Sequence, residues 1–132
     1  MSEPYKILVV DDEKEILEII GYVLNSPQIQ IFSAPDPFAA DLVLQQHEIN
    51  LIVSDEIFPE TRGQPWISKL KKKYDHMQYI IFSGQLDLAD ICSGANCRFI
   101  YKPDFQLLQK AIKEIHQKWL ENQMALYSKE AK

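Results

Sequence analysis

Two acids, Asp11 and Asp12, follow the apolar run Tyr5 to Val10 (YKILVV), and a third, Asp55, follows Leu51 to Ser54 (LIVS). A hydroxyl, Ser83, follows Tyr79 to Phe82 (YIIF), and an amine, Lys102, follows Arg98 to Tyr101 (RFIY). If these residues meet, three carboxylates share one ammonium. Two like charges about 4 Å apart cost on the order of 4 kcal/mol at an effective dielectric near 20. Either one acid stays protonated or a cation binds. An all-oxygen site with few protein ligands suits Mg2+, which keeps several waters and favours phosphate co-ligands. Calcium fits less well, because the chain has no EF-hand loop spacing. A pocket with a metal ion and a lysine suits a phosphoryl group, and Asp55 is its candidate nucleophile, since aspartate carboxylates form acyl phosphates. Taken singly, each residue has a plainer reading as a helix cap or a surface charge.

The elements around these residues determine whether they meet. A continuous apolar run such as Leu51 to Ser54 reads as a strand buried on both faces. Pro59 cannot donate to a sheet ladder and Gly63 permits a tight turn, so that strand stops about where Asp55 stands. A first helix follows Asp12, with Ile16, Ile19, Ile20, Val23 and Leu24 inward and Glu13, Lys14, Glu15 and Glu18 outward. Asn25-Ser26-Pro27 ends it, and Ile29 to Ser33 makes a brief strand. Asp36-Pro37 reads as an N-cap followed by proline at the first helical position. The second helix then turns Phe38, Ala39, Leu42 and Val43 inward. A third opens at Pro65 and buries Trp66, Ile67, Leu70 and Tyr74, leaving Lys69, Lys71, Lys72 and Lys73 on a solvated face. Leu86 to Ile91 allows about two helical turns, and the last helix begins near Asp104. Five strands alternating with five helices predict an α/β fold, a doubly wound parallel sheet covered on both faces. Such sheets bind ligands outside the carboxyl ends of their strands, where strand order reverses. In the order 2-1-3-4-5, Asp11, Asp12 and Asp55 crowd together, with Ser83 and Lys102 opposite.

Composition narrows the function classes. The chain has 132 residues, enough for one domain and one core. A formal net charge of -5 argues against binding to nucleic acid or an anionic membrane. No apolar run reaches membrane-spanning length and MSEPYK lacks the apolar stretch of a signal peptide, which makes the cytoplasm the default location. Cys92 and Cys97 match no zinc or CxxC spacing and read as reduced structural thiols. His47, His76 and His116 read as surface residues.

The ordered set Asp11-Asp12, Asp55 with Pro59 and Gly63 behind it, Ser83, and Lys102-Pro103 resembles the receiver domain of bacterial two-component response regulators (CheY-like). The resemblance covers roughly residues 4 to 118, leaving 119 to 132 as an extension of the last helix. It implies a flavodoxin-like fold that acts as a switchable protein-binding module rather than a dedicated enzyme. Asp55 would be the phosphoacceptor, charged by a histidine kinase or histidine phosphotransfer protein. Asp11, Asp12, Asp55 and the backbone carbonyl of Ile57 would hold Mg2+. Lys102 and Ser83 would engage the phosphoryl oxygens, and Phe99 would turn inward as Ser83 moves. Lys102-Pro103 matches the family's cis peptide. An aspartate-nucleophile phosphatase of the haloacid dehalogenase type would need a second aspartate two residues beyond Asp55, where Ile57 stands. A pseudo-receiver working by constitutive contact is the other alternative.

Three departures from the family pattern stand out. Glu56 occupies a position that is usually apolar. Ile57 and Gln85 hold the two positions that flank the attacking water during dephosphorylation; Ile57 cannot orient water, so the phosphoryl group is expected to have a moderate to long life. The last helix is long: Phe105, Leu108, Ile112, Ile115 and Trp119 repeat at three and four, Asn122 follows, and Leu126 falls on the same seam. To Tyr127 it would span roughly 36 Å. A frayed end, the start of a linker, and a homodimer seam with Asn122 as its polar register residue all fit this pattern.

Overall fold

The computed structural model describes residues 3–55, 63–84 and 96–130. Five strands form one parallel sheet in the order β2-β1-β3-β4-β5. They are β1 (Tyr5–Val10), β2 (Ile29–Ala34), β3 (Leu51–Ser54), β4 (Gln78–Ser83) and β5 (Cys97–Tyr101). The three central strands are the apolar runs, and every residue of β3 is buried. Alternation of side chains across the sheet divides the core in two. Leu8, Val10, Ile52, Tyr79 and Ile81 lie on one face with Trp66, Ile67 and Leu70. Tyr5, Ile7, Val9, Leu51, Val53, Ile80 and Phe82 lie on the other with Ile20, Leu108, Ile112 and Ile115.

Four helices cover these faces among the described residues: α1 (Lys14–Val23), α2 (Pro37–Gln46), α3 (Gly63–Lys73) and α4 (Phe105–Glu130). The fifth expected helix, at Leu86 to Ile91, falls outside the described residues. Two helix starts are capped as the sequence implies. Asp36 accepts from the Ala39 N–H at 2.8 Å ahead of Pro37, and Asp104 accepts from the Leu107 N–H at 3.0 Å. Each such cap contributes about 1 kcal/mol.

The phase of two helices departs from the sequence reading. In α2 the buried residues are Ala40 and Leu44, while Phe38 and Leu42 face solvent. The run FAADLVL is apolar on every side, so periodicity alone leaves its rotation open. Asp41 helps set it by accepting the Trp66 indole N–H from α3 at 2.9 Å. In α1, Ile19 is exposed and Leu17 packs on the core instead. Two further expectations are corrected. Cys97 is buried at the start of β5 and disulfide-bonded rather than a reduced thiol; spacing rules exclude CxxC chemistry but not a pairing set by the fold. His116 is buried rather than on the surface, because it follows Ile112 by one helical turn and lands against Tyr5.

Candidate functional site

β1 and β3 are neighbours, and backbone bonds join their carboxyl ends: the Asp55 N–H donates to the Val10 carbonyl at 3.0 Å. On the far side of β1, the Asp11 N–H donates to the Ala34 carbonyl at 3.1 Å, and across β4 the Lys102 N–H donates to the Ser83 carbonyl at 2.9 Å. The ends of all five strands are thereby fixed at one rim, which Asp11, Asp55, Ser83 and Lys102 share. Carboxylate oxygens of Asp11, Asp12, Glu13 and Asp55 all lie within 4.8 Å of one another.

Lys102 is the hub of the described ion pairs here. Its Nζ stands 2.7 Å from Asp11 Oδ2, 2.9 Å from Asp55 Oδ2 and 3.7 Å from Glu13 Oε1. The lysine, Asp11 and Asp55 side chains are only 13%, 3% and 12% exposed, so these charges interact with little screening by water. Burial lowers the Lys102 pKa, but its hydrogen bonds to Asp11 and Asp55 outweigh this and hold the ammonium above the usual lysine range. Asp11 is the strained partner. Burial raises its pKa, and the Asp55 charge adds to that, against the pull of Lys102 and of the Glu13 N–H, which donates to Asp11 Oδ1 at 2.9 Å. Among the described residues one ammonium stands against four carboxyl groups, and the carboxylate donors are all oxygen. This set fits a hard divalent cation such as Mg2+.

The structure brings together Asp11, Asp12, Asp55 and Lys102, as the sequence reading expects. Ser83 is buried at the end of β4, in register with Tyr101 of β5. Phe99 is partly buried against the α2–α3 side of the core. Lys102-Pro103 is a cis peptide. Gly63 is the first residue of α3. Ile57, Pro59, Glu56 and Gln85 lie outside the described residues. The sequence reading missed Glu13, which it assigned to the outer face of α1. Its signal was the unbroken run Asp11-Asp12-Glu13 at the start of a helix.

The family model described as "Response regulator receiver domain" matches residues 7–113. Response regulator GtcR of Aneurinibacillus migulanus is 31% identical over 100 residues, 74% of this chain and 41% of that protein. The chain spans about a fifth to two fifths of the length of the curated relatives it matches. Among solved structures, a two-component transcriptional regulator AraC from Clostridium phytofermentans is 27% identical, with a TM-score of 0.76 and coverage of 90% of this chain and 97% of that one. A response regulator receiver domain protein from Clostridium thermocellum is 30% identical, with a TM-score of 0.73 and coverage of 87% and 97%. With this match added to the strand order and the acidic rim, the chain belongs to the response regulator receiver domain family of two-component systems.

Proposed function

We propose that Asp55 accepts a phosphoryl group from a phosphohistidine of a histidine kinase or histidine phosphotransfer protein, and that the acyl phosphate so formed switches a protein-binding surface. The observation that carries this reading is Lys102 bridging Asp11 and Asp55 inside a cluster of carboxylates at the strand-order switch. In the transfer, an Asp55 carboxylate oxygen attacks phosphorus, the P–N bond breaks, and the imidazole leaves with its electron pair. Water later attacks the same phosphorus, releasing phosphate and restoring the carboxylate.

Asp11, Asp12 and Asp55 would hold Mg2+, together with the Ile57 carbonyl that the family pattern supplies. When bound, the ion would withdraw charge from the phosphoryl oxygens and relieve the repulsion between the acids. In the unmodified protein Lys102 pairs closely with Asp11 and Asp55 and more distantly with Glu13. An aspartyl phosphate offers it stronger acceptor oxygens, and Lys102 moves its ammonium onto them. Ser83 donates its hydroxyl to the same group and Phe99 moves inward, biasing one of two packings. The same reading places the chain in the cytoplasm.

Intact-mass spectrometry after incubation with acetyl phosphate and Mg2+ tests the proposal. Wild type gains one phosphoryl mass and Asp55→Asn gains none; equal labelling of the two proteins would refute it. Because Ile57 cannot orient water whereas Gln85 can, the acyl phosphate has a moderate to long life, and Ile57→Asn shortens it by roughly tenfold, less than the roughly hundredfold low end of general-base catalysis because an amide orients water without taking its proton. Equal decay rates would remove that role from Ile57.

A further inference from the structure

At the amino end of the sheet, α4 leaves the body and continues to Glu130. Its root is held by an aromatic group. The Tyr5 ring lies tilted 4.9 Å from His116 and edge-on 5.1 Å from Trp119, ring centre to ring centre. Beyond it the helix carries large apolar side chains in water: Met124 is 70% exposed, Leu126 55% and Tyr127 75%. An isolated helical segment this short is marginal in water without a packing partner.

The pattern of this segment is symmetric in sequence. Around Gln123, Trp119-Leu120 on one side mirror Leu126-Tyr127 on the other, each aromatic four residues away and each leucine three. At 3.6 residues per turn these five side chains share one face. A contact between two copies about a two-fold axis must be self-complementary, and a near-palindromic face centred on one amide satisfies that for antiparallel helices. Trp119 then lies opposite the partner's Tyr127, Leu120 opposite Leu126, and the two Gln123 amides meet at the axis, where each can donate to the other. A parallel coil would place Asn122 on the seam and leave Leu120 and Tyr127 off it.

The body leaves room for such a neighbour. A cleft of about 790 Å3 lies beside the helix root, floored by Ile49 and Met77 and walled by Ile115, Lys118 and Trp119. A smaller cleft of about 210 Å3, walled by Pro27, His116 and Leu120, lies on its other side. Trp119 borders both. A second helix crossing at Gln123 carries its last turn up to this level, and the larger cleft receives it. The four apolar side chains of this face, at roughly 100 Å2 each, cover on the order of 800 Å2 over the two copies, the size of a weak, reversible contact.

We propose that a second copy of this chain occupies this face, forming a reversible antiparallel dimer through residues 119–127, at the opposite end of the molecule from Asp55. This keeps a homodimer through the last helix but replaces the heptad seam with Asn122 at its register position by a face centred on Gln123, and it does not depend on phosphorylation. Sedimentation of the full chain from about 1 µM to about 1 mM, a range that spans weak association constants, should show the mass rising towards twice the monomer. The double variant Leu126→Glu/Tyr127→Glu should stay monomeric throughout, with an unchanged unfolding transition showing that its body is intact. A photo-crosslinking residue at position 127 should attach to the partner's peptide around Trp119. A wild type monomeric over the whole range, a dimer indifferent to the double variant, or a crosslink from position 127 to the partner's position 127 would each overturn the proposal.

Discussion

The two ends of this sheet solve opposite problems. At the carboxyl end, ionised groups are pressed together and buried, and Lys102 bridges Asp11 and Asp55 at 2.7 and 2.9 Å. At the amino end, Tyr5, His116 and Trp119 pack as rings, and among the described residues neither the Tyr5 hydroxyl nor the His116 imidazole has a hydrogen-bond partner. Among the described residues the first end sets one ammonium against four carboxyl groups, a balance that a metal ion or a phosphoryl group would change. The second is held by burial and shape, and it anchors a helix that reaches past the body. Charge is adjustable from outside and packing is not, which suits one end to switching and the other to a standing contact.

Removing the hub should have the largest effect. Lys102→Met leaves Asp11 and Asp55 buried without their cation, which should cost about 3 kcal/mol in urea unfolding without divalent ions. Added Mg2+ should stabilise this variant more than wild type, since the ion replaces the missing charge. A variant as stable as wild type in the absence of Mg2+ would mean that the rim is not electrostatically strained.

A pair of tyrosines sharpens the comparison on a smaller scale. Tyr5 and Tyr79 are both 1% exposed, but the Tyr79 hydroxyl donates to the Tyr74 carbonyl at 3.0 Å. Burial raises the pKa of both phenols far above the ordinary tyrosine value. Tyr79→Phe should cost about 1 kcal/mol, whereas Tyr5→Phe should be neutral or slightly stabilising, because it removes a polar group that makes no bond within the protein. Equal losses would show that the Tyr5 hydroxyl is satisfied by water.

The smallest effect concerns His116. Burial holds its pKa below the ordinary histidine value, so the folded protein binds this proton less readily than the unfolded chain. Its contribution is therefore intact above about pH 6.5 and lost as pH falls from there towards the folded pKa, by at most about 1.4 kcal/mol per pH unit. His116→Phe should flatten this part of the stability profile. An unchanged slope would assign it to the carboxylates instead.

The carboxyl end was legible in the sequence because strands buried on both faces are unbroken apolar runs, and the first polar residue after each run marks the rim. Asp11, Asp55, Ser83 and Lys102 were found that way. Glu13 was not, because a helix start offers an acid a solvent-facing reading that only the fold overrules. The rotation of α2 was hidden for a similar reason: a run with apolar residues around the helix and Asp41 as its one charge has no evident inner face until Asp41 meets Trp66. At the amino end, the three-and-four repeat revealed that α4 is long. The burial of His116 depends on Tyr5, a partner more than a hundred residues away in the chain, and no local pattern encodes it.

The central claim is that Asp55 is the group phosphorylated. Borohydride reduction after acetyl phosphate treatment, followed by peptide mass mapping, locates an acyl phosphate by converting that aspartate to homoserine. Homoserine is expected at position 55 alone, and none when EDTA removes Mg2+. Homoserine at Asp11 or Asp12, or the same yield at position 55 with and without the metal, would contradict it.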